Sequence, residues 1–200
     1  MKPQQIWLVL LTIYIIIIIV SGSAGCNYQK CNNIWTIPHL PHPIAEESVL
    51  ITSAGQSTDA YIVAEIANKL MIHNFFRPQA GASDLHDVNS LAVVVGYSPI
   101  GMKSSGISLD EEKRRLARLL EKAKKDNLIV LVLFISGKHR RGPETDELLE
   151  LVSTKGDYLI GIMEANYDNF LMNLAKKHAL TLTLVKDINN VREPFASAFR

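Results

Sequence analysis

Val49-Leu-Ile-Thr-Ser-Ala-Gly-Gln-Ser-Thr-Asp-Ala60 is the stretch that decides the fold. Val49, Leu50 and Ile51 make a short apolar run of the kind a buried strand carries. Ser53, Ala54 and Gly55 follow, small enough for the backbone to approach a ligand closely. Ser57, Thr58 and Asp59 are each good helix N-caps. Beyond them Ile62, Val63, Ile66, Ala67 and Leu70 fall on one apolar helical stripe. A helix N-terminus beside the end of a strand presents free N–H groups and a partial positive charge, which suits an anion. The same residues also serve as plain caps, since every helix begins with unpaired N–H groups.

Working outward, strand, loop and helix recur along the chain. Phe75 to Gln79 reads as a short edge strand, kept from the sheet centre by Pro78. Ser90 to Tyr97 is continuously apolar, so it is predicted to be buried on both faces, as in a parallel sheet. Ser98 to Gly106, with Lys103, reads as a loop. Ser108-Leu-Asp-Glu111 is a capping box that opens a helix to about Asp126. Leu116, Leu119, Leu120 and Ala123 form its inner face, and Glu111 to Arg115 are read as its solvated face. Leu128 to Ile135 is a second buried strand, followed by Ser136-Gly-Lys-His-Arg-Arg-Gly-Pro143. Pro143 suits the first turn of a helix whose inner residues are Leu148, Leu149 and Val152. A strand over Tyr158–Met163, a helix lined by Phe170, Leu171, Leu174 and Ala175, and an edge strand over Thr181–Val185 complete the pattern. A short helix is expected within Asn190–Arg200.

Right-handed crossovers turn this order into an α/β fold. The sheet is open, mainly parallel and doubly wound, Rossmann-like or flavodoxin-like, with about five strands in three α/β/α layers. One domain spans residues 48–200. Val93, Val94, Val95, Val130, Val132 and Phe134 should be buried in adjacent central strands.

Ahead of the domain, Ile6 to Val20 is apolar apart from Thr12, follows Lys2, and leads into Ser21-Gly-Ser-Ala-Gly-Cys26. A basic start, an apolar run and a small-residue exit describe an export signal or membrane anchor over residues 1–25. Ala24-Gly25-Cys26 resembles the bacterial lipoprotein signal, which implies a lipidated Cys26; Ser23 stands where that pattern most often has leucine. An uncleaved anchor and plain secretion are the alternatives, and each expects the domain to be extracytoplasmic. Residues 26–47 read as a Pro-rich tether. Within it His39 and His42 lack the further ligands a metal site needs.

The formal charge of +1 on 200 residues offers no bulk attraction to nucleic acid. Cysteine occurs only at positions 26 and 31, so the domain itself has no thiol chemistry. The dinucleotide fingerprint, the phosphate loop and the His-Glu-x-x-His motif are all absent, so nothing calls for a cofactor. Gly96-Tyr-Ser98-Pro-Ile-Gly101 is one residue longer than the Gly-x-Ser-x-Gly elbow, and Pro99 disfavours that tight turn. Asp84, His86 and Asp87 are more simply loop residues than metal ligands.

The sharpest signal is Lys138-His-Arg-Arg141 after a central strand. Arginine forks match carboxylate and phosphate oxygens. Pairing with Glu144, Asp146 or Glu147 is the plain alternative. In an open parallel sheet the loops holding Ser53–Asp59, Ser98–Gly106 and Lys138–Gly142 all emerge on one edge, where ligands usually sit.

Thr52-Ser-Ala-Gly-Gln-Ser57, Val95-Gly-Tyr-Ser98 with Lys103 and Gly106, and Arg140-Arg-Gly142 with Asp146 resemble an uncharacterised family of exported bacterial proteins. The resemblance runs over Val49–Lys186 and implies a Rossmann-like domain and an export address, but no chemistry.

The leading expectation is therefore a membrane-tethered, extracytoplasmic domain that binds a small anionic ligand, a carboxylate or phosphate. Ser53, Gln56, Ser57 and Ser98 would donate hydrogen bonds, and Lys103, Arg140 and Arg141 would supply charge. A hydrolase or transferase using Ser98 or His139, and a protein-interaction module, are the rivals. A membrane or transport protein is a natural partner for such a tethered domain. Convergence of the basic side chains into a pocket favours the first two readings, and splaying on an open surface favours the third. A Ser–His hydrogen bond favours the enzyme.

Overall fold

A computed structural model describes residues 40–200. The export segment, Cys26, Cys31, His39 and most of the tether lie outside the described residues. The strands are β1 (Val49–Ala54), β2 (Asn74–Phe76), β3 (Ser90–Val95), β4 (Ile129–Phe134), β5 (Tyr158–Ile162) and β6 (Thr181–Val185). The helices are α1 (Asp59–Lys69), α2 (Pro99–Ser105), α3 (Leu109–Lys125), α4 (Pro143–Ser153), α5 (Phe170–His178) and α6 (Arg192–Ser197). Among the described residues no helix is long and apolar enough to cross a membrane.

The strands form one six-stranded sheet in the order β2-β1-β3-β4-β5-β6, with every pairing parallel. This is the expected doubly wound architecture, with slightly more strands than expected because the short edge strand β2 joins the sheet. β3 and β4 are central neighbours in the register Val93↔Val132, and Val93, Val94, Val95, Val130, Val132 and Phe134 are fully buried. Burial on both faces explains why these strands are apolar throughout rather than alternating.

Side-chain alternation sends Leu50, Leu91, Val93, Val130, Val132 and Leu159 to one face, under α3, α4 and α5. Val49, Ile51, Ala92, Val94, Leu131 and Leu133 face the other way, under α1 and the C-terminal Val191–Ala198 segment. Leu40 and Ala45 pack into this second layer, and Ala45 N–H donates to Ala198 O at 2.8 Å.

Local signals set several helix ends. Ser108 accepts from Glu111 N–H at 3.3 Å while Glu111 Oε2 accepts from Ser108 N–H at 2.8 Å, closing the capping box. Pro143 opens α4. α1 stops at Lys69, and Met71 just beyond it turns into the left-handed region with φ 55°. The segment after Ser98 is helical rather than loop. Ser98 caps Gly101 N–H at 3.1 Å, Pro99 supplies the fixed φ of a first helical residue, and Gly106 ends α2 at φ 66°.

Candidate functional site

The strand order reverses direction between β1 and β3, so the crevice between their C-terminal ends is where a ligand would ordinarily lie. Here the chain fills that crevice itself. Gly96 N–H donates to Ala54 O at 2.9 Å and Ser98 N–H donates to Gly55 O at 2.8 Å, with an antiparallel bridge from Gln56 to Tyr97. The turn needs left-handed backbone at Gly55 (φ 97°) and at Gln56 (φ 56°), and only the first of these is glycine. The first turn of α2 lies directly on it: a Cβ at Gly101 would stand 2.0 Å from Gln56 O.

Beneath the turn, on the α3 side, sits a buried ion pair. Glu112 is 0% exposed, and its Oε1 accepts from Gly55 N–H at 2.9 Å, Gln56 Nε2 at 3.0 Å and Arg115 Nη2 at 2.8 Å. Arg115 Nε donates to Glu112 Oε2 at 2.8 Å, Nη2 also to Ser53 O at 2.6 Å, and Nη1 to Ala80 O and Thr52 Oγ1. Each guanidinium N–H thus has an acceptor, which is what keeps a buried charge tolerable. Reading Glu111–Arg115 as a solvated face is therefore wrong for Glu112 and Arg115. The signal that marks them is periodic: Glu112 lies four residues before Leu116, on the same stripe as Leu119, Leu120 and Ala123.

On the α1 side, Ser136 donates its hydroxyl to Asp59 Oδ2, linking the end of β4 to the start of α1 across Gly96. A Cβ at Gly96 would lie 2.8 Å from Ser57 Oγ and 3.1 Å from Asp59 Oδ2, so a side chain there would displace both.

The expected ligand donors fall in different places. Ser53 is fully buried in β1, and its hydroxyl has no hydrogen-bond partner among the described residues. Gln56 turns inward to Glu112 and to Pro78 O. Ser57 is buried and accepts from Asp59 N–H at 3.3 Å. Ser98 is half-buried and caps α2. Lys103 is exposed in the last turn of α2.

The two arginines of the basic loop part company. Arg140 is exposed, as are Lys138 and His139, which share its 3-10 turn. Arg141 is 3% exposed and all its N–H groups are engaged. Nε and Nη2 meet Asp146, the latter at 3.0 Å; Nη1 and Nη2 meet Asp168 at 3.2 and 3.1 Å; Nη1 also meets Ala165 O at 2.6 Å. Its guanidinium stands 4.2 Å from the Phe170 ring centroid and 5.6 Å from that of Tyr167. Burial alone would lower the Arg141 pKa, but hydrogen bonds and charge from Asp146 and Asp168 raise it overall. Burial pushes the Asp168 carboxyl up, and hydrogen bonds from Arg141 and from Phe170 N–H outweigh it, leaving the pKa lowered. Arg141 therefore has no donor left for a ligand. Expected to supply charge to an anion, Arg141 instead spends its donors inside the protein, next to the turn that carries Lys138, His139 and Arg140.

No hydrogen bond joins Ser98 or His139 to the other among the described residues. A Ser–His hydrogen bond does occur, between Ser48 Oγ and His73 Nδ1 at 2.9 Å, but it is exposed and lies at the N-terminal end of the sheet, and among the described residues no carboxylate pairs with the ring. Among the described residues no group of His, Cys, Asp and Glu could hold a metal. Asp84 accepts from Gly81 N–H at 2.8 Å and pairs with Arg77, while His86 pairs with Asp87. A surface groove of about 580 Å³ lies between α3 and α4 and another of about 360 Å³ beside α6; neither is lined by the basic turn.

The chain belongs to the family described as a domain of unknown function, DUF6305, whose model matches residues 46–199. No curated protein matches it. Among solved structures it is similar to AlinE4, an SGNH-hydrolase family esterase, and to two point mutants of that esterase. Identity is 13%, with 68% of this chain and 75% of that chain covered and TM-scores of 0.29 to 0.30. At that similarity no active-site residue passes to this chain.

Proposed function

We propose that this member of a family of unknown function is a binding module rather than an enzyme, extracytoplasmic and held at a membrane by its N-terminus. It takes an anionic ligand, presenting carboxylate or phosphate groups, at the C-terminal edge of the sheet. Lys138 and Arg140 supply the charge, with Lys103 on the neighbouring helix α2. The observation that carries this reading is the basic turn itself. Lys138 and Arg140 are exposed on one turn of backbone, form no ion pair among the described residues, and stand on a segment pinned by Arg141. Like charges held together repel, and an anion relieves that repulsion. The pinned turn also lowers the ordering cost of binding.

The test is a thermal-shift and calorimetric titration of the full-length chain, in neutral detergent, with small carboxylates and phosphates. An anion that binds should raise the unfolding temperature, and the effect should fade with added salt. Arg140→Ala and Lys138→Ala should weaken binding roughly ten- to a hundredfold, the equivalent of about 1.5–3 kcal/mol for a charge-assisted hydrogen bond. Equal stabilisation of the wild type and both variants would refute the assignment. For the address, Cys26→Ser should release the protein from membranes or stall its processing; unchanged processing and attachment would leave an uncleaved anchor.

A further inference from the structure

We infer that the ligand of this edge is an acidic protein segment that also carries apolar side chains, laid across the ends of β3, β4 and β5. The inference rests on the binding reading above and specifies its partner. Its basis is a row of exposed large apolar residues beside the cations. Ile100 is 80% exposed at the start of α2, just after β3; Met163 (53%) and Tyr167 (65%) follow β5. Lys138, His139 and Arg140 follow β4, which lies between those strands in the sheet.

The strand order thus sets apolar, cationic and apolar groups side by side. Strands about 4.8 Å apart make such a row roughly 10–15 Å wide, the span of about four residues of extended chain. The middle and far parts are joined physically. Arg141 Nη1 donates to Ala165 O at 2.6 Å, and Glu164 Oε2 backs Gly137, 3.0 Å from where a Cβ would stand. Glu164 is exposed in this strip, and no ion pair joins it to Lys138 or Arg140 among the described residues, so the cations remain open to a partner. Tyr167 is held in place from behind by the Arg141 guanidinium, so little order is lost when its free face is covered.

Aromatic, methionine and arginine side chains are the types enriched where protein interfaces are fully buried. A free inorganic anion would touch only the cations and leave Ile100, Met163 and Tyr167 in water. An acidic segment with apolar side chains would cover both. A lipid surface fits less well, because the chain enters β1 at Val49, at the opposite end of the parallel strands from this strip.

The experiment is selection from a random-peptide phage library on the immobilised full-length chain in neutral detergent. Two double variants accompany the wild type, Lys138→Glu/Arg140→Glu and Ile100→Ser/Met163→Ser. All four positions are exposed or half-exposed, so circular dichroism melts should match the wild type and a binding loss reads as a surface effect. Enriched peptides should combine acidic with apolar residues, and synthetic copies should lose about tenfold or more in affinity on either double variant. Anionic phospholipid vesicles should not displace them. Purely acidic peptides, lost on Lys138→Glu/Arg140→Glu but unchanged on Ile100→Ser/Met163→Ser, would overturn this inference while leaving the anion-binding reading intact. Peptides indifferent to both double variants would overturn both. Failure to enrich any sequence class, or displacement by vesicles, would overturn the protein-segment assignment.

Discussion

Replacing Arg115 with alanine should destabilise the domain far more than an exposed helix arginine would suggest. The side chain is 13% exposed and Glu112 beneath it 0%. Without the guanidinium, Glu112 Oε1 keeps Gly55 N–H and the Gln56 amide, but Oε2 loses its donor and the charge has no counter-ion. Ser53 O and Ala80 O lose donors at the same stroke. Removing one member of a buried pair costs about 3–5 kcal/mol. At roughly 2–4 °C per kcal/mol for a domain of this size, the midpoint should fall by roughly 6–20 °C. Urea unfolding followed by far-UV circular dichroism measures the cost. Arg114→Ala, exposed one residue away, should stay within about 0.5 kcal/mol of wild type. Glu112→Gln/Arg115→Met should recover at least half the loss, because no buried charge then remains and Gly55 N–H keeps an acceptor. If Arg115→Ala lies within about 1 kcal/mol of wild type, or matches Arg114→Ala, the pair is not what holds the β1 turn.

Other outcomes follow from the same contacts. Arg141→Ala should cost roughly 2–4 kcal/mol at neutral pH, since it strips a 3%-exposed charge from Asp146 and Asp168. Because the Asp168 pKa is lowered in the folded state, its contribution is present above the ordinary carboxylate range, near about pH 3.9, and is lost as pH falls through the folded value. The stability gap between wild type and Arg141→Ala should therefore narrow in acid, and a gap that widens on acidification would contradict the pairing. Gly101→Ala should lower the midpoint more than Gly106→Ala, because its Cβ would meet Gln56 O at 2.0 Å whereas Gly106 has open space and only the left-handed backbone to strain. Thermal melts of the two variants in the reverse order would rule out the packing of α2 on the β1 turn.

Signals that are local in the chain are legible in the sequence itself. The apolar runs at Val49, Ser90, Leu128 and Tyr158 form strands, the Ser108 box and Pro143 open helices, and β6 lies at an edge as its alternation implies. Ser98, Pro99 and Gly106 carry start and stop signals for α2 that a loop reading passes over. Glycines in such a segment read as breakers, whereas here one makes a close contact and the other a cap. The common edge for the β1, β3 and β4 loops also follows from topology alone, since every parallel strand points the same way.

What lies beyond the sequence is which way each polar side chain turns. Lys138, His139, Arg140 and Arg141 are adjacent and all basic residues, yet the last is buried against Asp146, Asp168 and Phe170 while the first three face water. Asp168 is far from Arg141 in sequence, and only the packing of β4 against β5 brings them together. The same holds for Glu112 and Gly55, which meet only because α3 packs under the β1 turn. Apolar periodicity is set by neighbours one helical turn or two strand residues away, so a sequence carries it openly. A buried charge is set by a partner from another element, and only the folded chain names that partner.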